Sequence, residues 1–220
     1  MESESTAKDT VLTDVEAAAD VYSFASDQLA DLVNAGALQS LDKMDEVFQK
    51  YVGKSVEDLK TSNTEVSVES ATMNGTLYAF PRTADNGYFL YYDSNVISEE
   101  EAKSWDSLLD AAQRAGKKVG MTLASGWYDA SFFYSAGFTT SLNQDGTTSM
   151  DWNGTADYSG VEVTEAMARI AADPAFMAVV DGDMANQLAS GQLCAAVSGV
   201  WDAPVAQTAF GDGYLSLIHI

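Results

Sequence analysis

The chain has 220 residues, 46% of them hydrophobic and 20% charged, enough for one large domain or two smaller ones around a buried core. Its 33 acidic and 11 basic residues leave a net charge of −22, a field that repels both nucleic acid, whose binding needs Lys and Arg to neutralise phosphates, and anionic lipid. The single cysteine, Cys194, excludes an internal disulfide and reads as a core thiol; with His219 the only histidine, neither a Cys/His metal site nor a Ser-His-Asp triad can be assembled, and no metal or cofactor is expected.

In chain order, "MESESTAKDT" has neither the basic start nor the apolar stretch of a signal peptide, and residues 1–19 show no clean period. "DVYSF", Asp20–Phe24, reads as a strand, with Ser26 as the N-cap of a helix carrying Leu29, Leu32 and Val33 and stopping at Gly36. Residues 50–73 read as either loop or helix end. "NG" at Asn74-Gly75 predicts a turn into a strand over Gly75–Pro81, and "YFLYYD" predicts a second strand, with one of Tyr91 and Tyr92 in the core and the other outward. Ser104 caps a helix whose buried stripe is Trp105, Leu108, Leu109 and Ala112, ended by Gly116. "KKVGM" is a short strand, "YDASFFYSAG" a helix, and "NQDGTT" a hairpin turn around Asp145-Gly146. Ser159 and Glu162 form a capping box ahead of a helix burying Val163, Ala166, Met167 and Ile170. Asp183 opens the next helix, ended by Gly191; "LCAAVS" is a buried strand, and a last helix follows with Pro204 in its first turn. Strands alternating with helices predict an α/β fold with a largely parallel sheet. The final "LSLIHI" carries no turn signal and is read as a non-native tail, residues 215–220, outside the fold.

Three junctions after predicted strands pair an aromatic with an aspartate: Phe24, Ser26 and Asp27; Trp127, Tyr128 and Asp129; Trp201 and Asp202. Open α/β sheets bind ligands at such ends. Aromatic rings stack on the apolar C–H face of a sugar while carboxylates and amides take its hydroxyls, so the recurrence points to a carbohydrate, although any one ring alone reads as core. Glycoside hydrolysis needs two carboxylates at a set separation; Asp85, Asp129 and Asp202 are the candidates, and no spacing fixes such a pair. Neither GxGxxG nor a Walker pattern is present.

Four segments resemble the family 1 extracellular solute-binding proteins of ABC importers, the maltose-binding-protein-like group. They are "ADVYSFASDQLADLVNAGALQSLD", "NGTLYAFPRTADNGYFLYYDSNVI", "SWDSLLDAAQRA" and "LASGQLCAAVSGVWD", in the family's order, covering about residues 19–214. The resemblance implies an α/β, two-lobed periplasmic-binding-protein-like (type II) fold, here incomplete because the pieces expected before Asp20 and after the last helix are missing. Residues 1–82 would belong to the first lobe, 83–87 to a hinge crossing with Gly87 permitting backbone change, and 88–214 to the second lobe. It implies that the ligand-facing residues are Phe24, Ser26, Asp27, Asp85, Asn86, Tyr88, Trp127, Tyr128, Asp129 and Trp201, none of them catalytic. It also implies a monomer, extracellular as a cell-surface lipoprotein or periplasmic, that closes over a mono- or oligosaccharide and delivers it to an importer permease. A carbohydrate-active enzyme, a binder of a peptide or polyamine, and an interaction module without a small ligand are the other readings.

Overall fold

A computed structural model of the chain describes residues 6–82, 87–143, 147–154 and 157–217. The chain divides into two units, Met1–Ala84 with Leu142–Thr148, and Asp85–Ser141 with Ser149–Ile220.

The first unit is mostly helical. Helix α1, Ala7–Thr13, buries Ala7 and Val11 within the segment where no period was evident. Helix α2, Leu29–Asn34, follows a 3-10 turn, Ser26–Gln28. Ser26 therefore lies inside the turn and makes no capping bond, contrary to the expected N-cap. The stop at Gly36 is as expected: with φ at 70°, it lets its own N–H reach the Val33 carbonyl and that of Ala37 reach Leu32, closing the helix end. The strand expected over Asp20–Phe24 does not form. An apolar alternation becomes a strand only when a neighbouring strand takes up its backbone groups. No described residue does so, and Val21 is 89% exposed.

The ambiguous stretch resolves into α3, Asp45–Val52, α4, Val56–Thr61, and α5, Glu65–Ser70. A reciprocal Ser55–Asp58 capping box opens α4 and the Thr64 hydroxyl caps α5. Strands β1, Thr72–Met73, and β2, Thr76–Leu77, pair antiparallel about Asn74 and Gly75, both at positive φ as a two-residue hairpin turn requires. The strand expected to reach Pro81 stops at Leu77, because α5 ends directly before β1 and leaves only two residues to pair. Leu41, Val56, Ala71 and Leu77 form one small core, and Leu29, Ala30 and Met73 another.

The second unit is built on a five-stranded sheet in the order β7-β4-β8-β3-β9. These are β3, Phe89–Asp93, β4, Lys118–Met121, β7, Phe176–Ala178, β8, Leu193–Ser198, and β9, Tyr214–Leu217. Strand β4 runs parallel to β7 and β8, whereas β3 is antiparallel to both β8 and β9. The sheet is thus mixed rather than largely parallel. Alternation in sequence reports element type; direction depends on which edge each connection returns to, and β8 enters between β4 and β3. Leu217 pairs with Leu90 and Leu215 with Tyr92, so residues 215–217 stand in the sheet rather than outside the fold.

Helices cover both faces. On one side α6, Trp105–Arg114, α7, Gly126–Ser135, and α8, Gly160–Ala171, pack with Leu90, Tyr92, Val119, Met121 and Val197. On the other α9, Met184–Ala189, and α10, Ala203–Phe210, pack with Tyr91 and Ala196. Tyr91 and Tyr92 do alternate, but both are 1% exposed because neither face meets solvent; the expected outward tyrosine does not exist. Each such side chain stabilises the fold by roughly 1.5–3 kcal/mol through burial. The Ser104 cap, the Gly116 stop and the Ser159–Glu162 box are all present. Asp183 precedes α9 but does not cap it through its side chain; its carboxylate accepts from the Asn186 and Gln187 amides. Strands β5, Thr140–Leu142, and β6, Thr148–Met150, make a separate two-stranded sheet, and the turn expected at Asp145-Gly146 lies outside the described residues. Cys194, 1% exposed, is a core thiol pushed up to about 11 by burial.

Candidate functional site

Strand register brings three chain segments to one end of the second unit's sheet. Phe89, the first residue of β3, pairs with Ser198, the last of β8, so Tyr88 and the turn from Gly199 to Asp202 are neighbours. Strand β4 is parallel to β8 with Gly120 beside Ala196, so its exit into α7 opens at the same end. Carboxyl ends of parallel strands are where open α/β sheets leave room for ligands.

Four aromatic rings converge there. Trp127, in the first turn of α7, is the hub: its ring lies 4.3 Å from that of Tyr88, 4.8 Å from Tyr128 and 5.5 Å from Trp201, measured between centroids. The Tyr88 hydroxyl donates to the Trp127 carbonyl, and burial pushes it up to about 12. Tyr128 does not present a face to solvent. It is 7% exposed, its ring belongs to the core, and its hydroxyl lies 3.4 Å from the Ser198 hydroxyl. Trp201 is 52% exposed, which separates it from the core tryptophan Trp105, packed between Phe132 and Phe176. Asp129, one residue beyond Tyr128 on α7, has a buried carboxylate oxygen without a partner, and burial lifts it above the ordinary carboxylate range. Asp202 stands at the N-cap position of α10 without a side-chain capping bond; it is 8% exposed and accepts from the Ser198 hydroxyl at 2.5 Å. Ser198 and Tyr91, whose hydroxyl donates to the Gly199 carbonyl at 2.9 Å, escaped the sequence reading. The available signal was a lone hydroxyl ending an apolar strand.

The remaining expected residues belong to the first unit or fall outside the described residues. In the first unit Phe24 packs on Leu29, Ala30 and Met73 with the Tyr22 ring 5.9 Å away, while Ser26 and Asp27 are exposed on the 3-10 turn. Asp85 and Asn86 fall outside the described residues. A groove of about 450 Å³ in the first unit is lined by Val47, Phe48, Tyr51, Val52 and Phe80, with Lys54 as its charged group, and includes none of the expected site residues. Among the described residues no group of three or more His, Cys, Asp or Glu side chains gathers to hold a metal, and no helix is long and apolar enough to cross a membrane.

The mixed α/β sheet clad on both faces has the periplasmic-binding-protein-like fold, as its likeness to solved structures shows. The chain belongs to the bacterial extracellular solute-binding proteins, whose family model matches residues 2–218. It is similar over 100% of its length to 53% of a chain solved with acarbose, at 30% identity and a TM-score of 0.73. It is also similar to the unliganded maltodextrin binding protein MalE1 from L. casei BL23, at 22% identity and a TM-score of 0.66, over 99% of this chain and 53% of that one. A third likeness is to the galacto-N-biose-/lacto-N-biose I-binding protein of the ABC transporter from Bifidobacterium longum in complex with lacto-N-biose, at 16% identity and a TM-score of 0.72, over 100% of this chain and 55% of that one. The last two identities speak to the fold alone. The chain spans about half the length of these structures. No curated protein matches it.

Proposed function

We propose that this protein captures a carbohydrate, without chemical turnover, and delivers it to an ABC importer. The observation that carries the reading is the ring cluster of Tyr88, Trp127 and Trp201 at the carboxyl end of the sheet, with Trp201 half exposed. The Tyr88 hydroxyl is already engaged with a backbone carbonyl, so this group offers ring faces, which suit the C–H face of a pyranose. Asp129, on the same helix as Trp127 and partly exposed, remains the family-derived candidate acceptor for a sugar hydroxyl. Similarity to a chain solved with acarbose supports the same ligand class. Phe24, Ser26, Asp27, Asp85 and Asn86 remain the family-derived candidates for further ligand contacts. The protein acts as a monomer outside the cytoplasmic membrane, either free in a periplasm or held as a lipoprotein.

Titration of the full-length gene product with mono- and oligosaccharides, followed by tryptophan fluorescence, tests this. A saturable change with at least one sugar, which chromatography then recovers unaltered, is the expected result. Silence toward every carbohydrate with a response to a peptide or polyamine overturns the sugar assignment, and recovery of a cleaved sugar overturns the absence of turnover.

A further inference from the structure

Trp201 sits on an exposed turn, with its indole laid over the backbone beneath it. Val200 and Trp201 are 46% and 52% exposed, so no overlying side chain buries this turn. Beneath the indole lies the backbone of Gly199. A Cβ built on that glycine would overlap the Cη2, Cζ3 and Cζ2 atoms of the Trp201 ring. Gly199 has φ −91° and ψ 175°, an ordinary extended conformation that any residue adopts. The backbone therefore does not call for glycine here; the space does.

The turn itself is tied down from below. The Gly199 carbonyl accepts from the Tyr91 hydroxyl at 2.9 Å and from the Asp202 backbone N–H at 3.2 Å. The Ser198 hydroxyl donates to the Asp202 carboxylate at 2.5 Å, and with its single proton used there it is left to accept from Tyr128. Tyr91, Tyr128, Ser198 and Asp202 are all buried, so these bonds form where unpaired groups are costly and hold one geometry.

We propose that Gly199 is a positioning residue for ligand recognition: its missing side chain is the seat on which the Trp201 indole lies, and the Tyr91–Tyr128–Ser198–Asp202 network fixes that seat beside Trp127. The ligand side of this statement rests on the carbohydrate reading above; the seating of the ring does not. A seated ring loses little rotamer freedom when a ligand arrives, which is how preorganisation raises affinity. Substituting Gly199 by alanine drives the indole off its seat and away from Trp127, leaving the buried anchor in place.

The test needs no ligand for its first half. Trp127 and Trp201 are close and inclined at 43°, so their indoles couple, whereas among the described residues Trp105 and Trp152 pair only with phenylalanine and tyrosine rings. Circular dichroism of Gly199→Ala should lose the indole exciton couplet while the helical signal persists. Tyr91→Phe, which removes only the hydroxyl, should weaken it. If Gly199→Ala lowers the melting temperature, the same change on a Trp201→Ala background should lower it far less, since the clash is then gone. In the second half, Gly199→Ala should weaken the sugar found in the titration by about tenfold, the loss of a preorganised aromatic anchor. An intact couplet, or equal destabilisation in both backgrounds, overturns the seat whatever the ligand. A lost couplet with unchanged sugar affinity overturns its role in recognition. A lost couplet in a protein that binds no carbohydrate leaves the seat standing and removes the sugar reading instead.

Discussion

In the proposed carbohydrate reading, Trp201 is the side chain on which most of the functional weight rests. With half its surface open to solvent, it contributes little to the hydrophobic stability that a buried tryptophan supplies. Trp201→Ala should therefore weaken carbohydrate binding by about 1–3 kcal/mol, roughly tenfold to a hundredfold. Its effect on stability should fall well short of the roughly 3–5 kcal/mol of a core Trp→Ala. Affinity and melting temperature measured on the same variant check this; unchanged affinity with a large loss of stability would place the ring in the core. The candidate residues were readable as types at strand-to-helix junctions. Their orientation was not: Tyr128 and Trp127 are adjacent in sequence, yet one hydroxyl is buried against Ser198 while the neighbouring ring touches the exposed Trp201. On a helix, successive residues point about 100° apart, and only the packed neighbours decide which side is core.

Helix ends were the most readable elements, because a cap is a contract between residues three apart. Ser159 and Glu162 exchange bonds at the start of α8, with the Ser159 N–H donating to the Glu162 carboxylate at 2.8 Å and the Glu162 N–H to the Ser159 hydroxyl at 3.2 Å. The bonds from the Ser159 backbone and side chain hold Glu162 below its ordinary value of 4.5. A depressed carboxylate contributes stability that is fully present above its unfolded value and is lost as pH falls through the folded one. Melting temperature against pH should thus fall below about pH 4.5 less steeply in Glu162→Gln than in the parent. Ser159→Ala should cost about 1 kcal/mol at neutral pH. A parallel pair of pH curves for parent and Glu162→Gln would contradict the linkage. Strands were less readable. Both Asp20–Phe24 and Phe89–Asp93 are short runs rich in aromatic and β-branched or aliphatic residues, and among the described residues only the second has neighbours on both sides to complete its hydrogen bonds.

At the scale of the molecule, charge opposes compaction. A net −22 on 220 residues repels itself, and the ion pairs present, such as Lys103–Glu100 and Arg169–Asp106, are exposed and individually worth no more than about 1 kcal/mol. Raising salt from about 0.01 to 0.15 M shortens the screening length from roughly 30 to 8 Å, which relieves long-range repulsion more than it weakens pairs in contact. The melting temperature should rise over that range; a fall would mean that the pairs outweigh the repulsion. The same scale shows where the sequence reading ran short. It found the α/β class and the family from segments in order, but expected a largely parallel sheet and left residues 215–217 out of it, whereas β3 is an interior strand antiparallel to both its neighbours, β8 and β9.

By itself the sequence determined what depends on near neighbours along the chain: the Ser159–Glu162 capping box, the glycine stops at Gly36, Gly116 and Gly191, the Asn74-Gly75 turn, the buried run of β8, and the family. These are contacts within a few residues, or composition itself, and need no knowledge of the remaining chain. Only the tertiary structure decided that Phe89 meets Ser198, 109 positions further on, and so that Tyr88, Trp127 and Trp201 share one end of one sheet. Strand register and direction are settled by which apolar faces are covered, and that is a property of the whole fold, so the seat under Trp201 was invisible until Gly199 and its anchors stood together.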